Sequence, residues 1–192
     1  FDVIFAWFCD PDFTQHKAGL GAELSLQSIR ENDARLGTIL EAAQEYNVDV
    51  MVGSDHGFST LTQPFDYKTE LIHQGIDIDN LIWRGNSVTI KNREKNILEK
   101  IVAFLQEQNR VGPIFTRGES DHHEGCIPGT FSFRTINLDH IRTPEIVYSK
   151  NWTDQPNEND VPGTVIGSSG TASHGTCSPF DMHNVLIAGG PS

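Results

Sequence analysis

The chain has 192 residues, 37% of them hydrophobic, and a formal charge of −12 from 26 acidic and 14 basic side chains. This balance excludes a nucleic-acid backbone as the resting partner, since polyanion binding needs clustered Lys and Arg, and no run approaches the roughly 18 apolar residues of a membrane span. The length suits one sizeable core, and the odd set Cys9, Cys126 and Cys177 spells neither a disulfide framework nor a cysteine zinc site.

In chain order, Asp2 to Phe8 is nearly all apolar and predicts a strand covered on both faces. Phe1 opens directly on this pattern without initiator methionine or leader, which reads as a segment of a longer chain. Pro11 stops the strand, so Asp12 and His16 fall in the loop or helix start beyond its carboxyl end. A helical turn there stacks the two on one face. Glu23 to Tyr46 carries Leu26, Ile29, Leu36, Ile39, Leu40 and Ala43 at helical spacing, with a break expected near Gly37 and a stop at Asn47. The β-branched run Val48 to Val52 then predicts a buried strand delivering Gly53-Ser54-Asp55-His56-Gly57. Strand, helix and strand form a parallel crossover unit whose loops meet at one edge, so Asp12, His16, Asp55 and His56 become neighbours.

Beyond Leu61 the pattern predicts a strand over residues 81 to 91 with a bend at Arg84-Gly85-Asn86, a helix over residues 93 to 109, and short strands at 112 to 116, 130 to 138 and 145 to 149. Residues 151 to 170 are polar and rich in Pro, Gly, Asn and Asp, which predicts a long surface loop. It leads to His174 on a glycine-flanked loop, and the last strand is 185 to 188. The expected fold is α/β: a mostly parallel sheet flanked by helices, residues 1–60, with an inserted strand-rich α+β lobe over 61–150 and a return loop and last core strand over 151–192.

An Asp and a His together offer one hard oxygen and one imidazole nitrogen, which suits zinc or a similar divalent ion. Asp121-His122-His123-Glu124 is a second metal-like cluster, read as a solvated acidic loop because sequence neighbours point in different directions. His73, His140 and His183 have no partners visible in sequence, and Cys177, near His174, reads as a small buried residue.

Pro11-Asp12 with His16, Ser54-Asp55-His56-Gly57-Phe58, and Ser173-His174-Gly175 occur in this order over nearly the whole chain. Together they resemble the alkaline phosphatase superfamily, most closely its nucleotide pyrophosphatase/phosphodiesterase branch. The resemblance implies an alkaline phosphatase-like fold and two zinc ions, one held by Asp12, His16 and His174 and the other by Asp55 and His56. It implies hydrolysis of phosphodiester or pyrophosphate bonds in a small, nucleotide-like phosphorylated substrate, in a periplasmic or extracellular setting. It places the hydroxyl nucleophile and a further Asp before Phe1; Ser59 and Thr60 are the substitutes inside the chain, although the family pattern does not put the nucleophile there. Phosphomonoesterase, phosphonate hydrolase and sulfatase use much the same ligands and remain alternatives. So does a catalytically silent metal-binding fragment.

Overall fold

The computed structural model describes residues 3–118 and 123–191. Its elements are α1 (Asp12–Ala18), α2 (Glu23–Tyr46), β1 (Val50–Gly53), β2 (Ser59–Thr62), α3 (Tyr67–His73), β3 (Leu81–Arg84), β4 (Ser87–Ile90), α4 (Lys95–Gln106) and β5 (Val111–Thr116), then β6 (Phe131–Ser132), β7 (Ile146–Lys150), β8 (Trp152–Pro156), β9 (Pro162–Ile166), β10 (Ala172–Ser173), α5 (Pro179–Met182) and β11 (Leu186–Gly189). The chain divides into two units. The first comprises the described residues of Phe1–Thr62, Thr153–Val165 and Ser169–Ser192, and the second those of Gln63–Trp152 and Ile166–Ser168.

In the first unit α1 starts where Asp10 takes the backbone N–H of Thr14 at 3.1 Å and its hydroxyl at 2.6 Å, supplying an acceptor to an otherwise orphaned helix start. α2 runs unbroken for 24 residues and ends on Asn47 in the left-handed conformation. The break expected at Gly37 does not form, because one glycine costs a helix only about 1 kcal/mol against neighbours that all favour it. β1 pairs antiparallel with β11, and a separate four-stranded sheet has the order β10-β2-β9-β8. Residues 3–9 are not a strand, and Val3, Ile4, Phe5 and Trp7 are exposed. Apolar character states what a segment would bury, but a strand also needs a partner, and among the described residues this run has none. The predominantly parallel pairing expected of the sheet is likewise not seen: among the described pairs only β5–β6 is parallel. With no strand at residues 3–9 the expected crossover is not seen; β1, expected to be buried, pairs with the distant β11 and leaves Met51 exposed, and the class remains α/β with mixed sheets.

The loop expected over 151–170 is instead mostly the hairpin β8–β9. Asn157 Oδ1 accepts from the N–H groups of Asn159 and Val161, Asp160 takes a positive φ of 59°, and the Thr153 and Thr164 hydroxyls meet across the strands at 2.7 Å. The polar β8 is held by the turn and by cross-strand pairs, while β9 buries Val165.

The second unit carries the apolar core: Leu71, Val88, Ile90, Ile101, Val102, Phe104, Leu105, Ile146 and Tyr148 are all fully buried. α4 contributes through i, i+3, i+4 spacing to a sheet of order β3-β4-β7-β5-β6. Residues 81 to 91 form the hairpin β3–β4 with its bend at Gly85-Asn86. Tyr148, only 1% exposed, has its phenol pushed well up, chiefly by burial and then by Tyr67, with the Trp83 side chain opposing. A folded-state pKa above the unfolded value of about 10 contributes stability that is present below that pH and lost as pH rises beyond it. Tyrosinate absorbance should therefore stay below that of three free tyrosines until circular dichroism shows the fold opening. Full ionisation of an intact fold near pH 10 would contradict the burial of Tyr148.

Candidate metal centre

The centre lies wholly in the first unit. β2 and β10 pair antiparallel with Ser59 opposite Ser173 and Thr60 opposite Ala172, so the residues just outside the pair, Phe58 and His174, come face to face. This register explains why two histidines 118 positions apart in sequence, His56 and His174, stack with ring centroids 3.5 Å apart and 14° between planes. The Phe58 ring packs against His16, His174 and His56 at 4.8, 5.3 and 5.9 Å, an apolar floor under the three imidazoles.

Asp12 Oδ1 is the point of convergence. It is 3.5 Å from His174 Nε2, 3.6 Å from His16 Nε2 and 3.8 Å from His56 Nε2, yet it is buried and, among the described residues, takes no hydrogen bond. His16 Nδ1 lies 3.0 Å from the Ala172 carbonyl and His56 Nδ1 2.9 Å from that of Gly57. Carbonyls only accept, so each Nδ1 carries the hydrogen and, in the neutral ring, each Nε2 presents a lone pair toward Asp12. A carboxylate oxygen beside the Nε2 lone pairs of neutral imidazoles is a set of acceptors that a divalent cation would satisfy. Donors bound to one tetrahedral zinc at about 2.0–2.2 Å stand roughly 3.3–3.6 Å apart, close to the spacing here. The donor set therefore fits a divalent cation.

Asp12, His56 and His174 offer ligand atoms within 4.8 Å of one another. His16 approaches Asp12 but lies outside that trio, its ring turned by the Ala172 carbonyl. Asp55, at 60% side-chain exposure, approaches His56 Nε2 at 3.5 Å from the rim. The five residues singled out in sequence thus share one neighbourhood, with His56 beside Asp12 and His174 rather than paired with Asp55 alone. The His174 imidazole is held below its ordinary pKa, by burial first and then by His56, with Asp12 and Asp181 opposing.

Other sequence candidates fall away. Ser59 is fully buried and donates to Asp181, and the Thr60 hydroxyl accepts from Asn157 Nδ2 at 3.0 Å. Asp121 and His122 lie outside the described residues, while His123 and Glu124 are exposed in the second unit. Cys177 is exposed, not buried, because its neighbours Thr176 and Ser178 take the inward positions of the turn. Sequence reasoning missed Asp181. Its one signal was Ser178-Pro179 ahead of it, an N-capped helix start in which the Ser178 hydroxyl accepts from Phe180 N.

The family model described as type I phosphodiesterase/nucleotide pyrophosphatase matches residues 1–161, so the chain belongs to that family. Among solved structures it is similar to murine ectonucleotide pyrophosphatase/phosphodiesterase 5, at 16% identity and a TM-score of 0.62. An inactive form of the same mouse protein in complex with AMP aligns at 18% identity and a TM-score of 0.64. Each alignment covers 95% of this chain and 45% of the mouse chain, and the likeness shows the fold. A comparison with curated proteins gave no match.

Proposed function

We propose that this chain carries the metal-binding part of a hydrolase of phosphodiester or pyrophosphate bonds that works with two divalent ions, zinc above others. The observation that carries this reading is the buried, unpartnered Asp12 Oδ1 ringed by three imidazole nitrogens, in a member of this family. Asp12, His16 and His174 would hold one ion and Asp55 and His56 the other, and the approach of Asp12 to His56 sets the two groups side by side. When bound, such ions lower the pKa of an attacking hydroxyl or water and neutralise charge developing on a phosphoryl group. The protein's part is to aim the imidazoles. The Ala172 and Gly57 carbonyls fix two tautomers, Phe58 excludes water from beneath, and the half-exposed Asp55 and Asp12 leave the outer side open to substrate.

A nucleotide-like substrate is consistent with the AMP complex of the murine neighbour. An extracellular or periplasmic setting rests on the family resemblance; among the described residues no helix is long and apolar enough to cross a membrane. The full-length protein should hydrolyse a chromogenic phosphodiester faster than the corresponding phosphomonoester or sulfate ester, lose that activity to a chelator, and regain it with zinc. Because His174 must be neutral to bind a cation, zinc affinity should fall as pH drops below the ordinary histidine value near 6.5. Chelator-resistant diester hydrolysis would sink the reading, and preference for the monoester or sulfate ester would move the protein to another branch.

A further inference from the structure

We propose that Asp181 is a positioning residue that fastens both histidine-bearing loops, those of His56 and His174, to one buried turn. The inference rests on the metal-centre reading above and goes beyond it, since Asp181 touches none of the five ligand candidates through a hydrogen bond in the structure.

Asp181 is 3% exposed and sits on the single turn α5. One carboxylate oxygen accepts from the Ser59 hydroxyl at the start of β2. The other accepts from the backbone N–H of Thr176 at 2.9 Å and from its hydroxyl at 2.6 Å, two residues beyond His174. The backbone carbonyl of Asp181 takes the N–H of Gly57 at 2.7 Å, immediately after His56, and that of Phe180 takes the N–H of Phe58 at 3.0 Å. Five hydrogen bonds from four residues of the two loops therefore end on two consecutive residues. A carboxylate so deeply buried is costly unless fully hydrogen-bonded, and here each oxygen is satisfied by groups whose only evident task is to hold a loop in place. The imidazoles of His56 and His174 can stack and face Asp12 only while both loops stay at this spacing.

Residues supporting the ligands of a metal typically change affinity about 10- to 100-fold when removed. Asp181→Ala leaves the Ser59 hydroxyl and both Thr176 donors without their acceptor, so in the full chain zinc affinity should fall about 10- to 100-fold. The visible spectrum of the cobalt-substituted protein should shift as well. Asp181→Asn keeps an oxygen for Thr176 and can donate to Ser59, so it should recover affinity to within several-fold of wild type. Hydrogen exchange at the Thr176 and Gly57 amides of the metal-free protein should quicken in the alanine variant and stay slow in the asparagine variant.

Wild-type zinc affinity and cobalt spectrum in Asp181→Ala would overturn the proposal while leaving the metal centre standing. So would asparagine binding as weakly as alanine, which would make the charge, not the fastening, the operative feature. Should Asp181→Ala fail to fold, Ser59→Ala serves in its place: several-fold weaker zinc binding supports the clamp, and unchanged binding overturns it. Absence of zinc binding by the wild type would sink the metal reading and this inference with it.

Discussion

Asp12→Asn should lower zinc affinity more than a hundredfold while leaving the metal-free chain as stable as wild type or slightly more so. Zinc held by a full ligand set binds with about 10–16 kcal/mol, so one ligand in four represents roughly 3 kcal/mol, and every 1.4 kcal/mol is tenfold. Without a cation Asp12 Oδ1 is a liability, a buried acceptor with no donor and three imidazole nitrogens close by. Asparagine removes the charge and can donate to one of those nitrogens. A residue kept for stability would behave the opposite way, so calorimetric zinc titration and thermal unfolding of the metal-free variant together separate the two roles. Reduced stability with unchanged zinc affinity would contradict the ligand assignment.

Gly57→Ala should be the most damaging substitution that alters no functional group. A Cβ at this position would press on the carbonyl oxygen of Phe180, far inside van der Waals contact, and would lie 3.1 Å from the carbonyl oxygen of His183. Both obstacles are backbone, which cannot rotate aside as a side chain would. Either α5 moves, loosening the carbonyls that hold Gly57 and Phe58, or the loop moves and takes His56 away from Asp12. Overpacking of this kind costs about 1–3 kcal/mol and here should reach the upper end. Thermal unfolding should show that loss, and zinc affinity should fall at least as far as in Asp181→Ala. Ala at Gly37, where nothing lies within 4 Å of the new methyl group, is the control and should be neutral or mildly stabilising.

Local chemistry made much of this legible in sequence, and tertiary pairing hid the rest. The bend at Arg84-Gly85-Asn86 was readable, although the single strand expected over 81–91 is two antiparallel strands folded back on it, and Asn47 was readable as a helix stop because few residues other than Gly and Asn accept a left-handed conformation. The hairpin over 152–166 was not readable, since β8 is polar, β9 is short and opens on Pro-Gly, and the turn chemistry looks like that of any loop. In the site, the helical interval already placed His16 beside Asp12. Which imidazoles join Asp12 most closely is decided by the register of β2 against β10 and by two backbone carbonyls, neither of which side-chain spacing records. Asp181 was invisible for the same reason. Its partners are backbone amides and hydroxyls drawn from two distant stretches of chain.

Asp12, His16 and His174, with Asp55 and His56 beside them, are proposed to gather as ligands of divalent cations. The most direct test of this proposal is cobalt(II) substitution of the metal-stripped chain, followed by visible absorption with wild type and His174→Ala side by side. The wild type should give a bound-cobalt spectrum typical of few, mixed nitrogen and oxygen ligands, displaced stoichiometrically by zinc and lost or strongly altered in His174→Ala. A wild-type spectrum no different from that of free aqueous cobalt, or one indifferent to the His174 substitution, would contradict it.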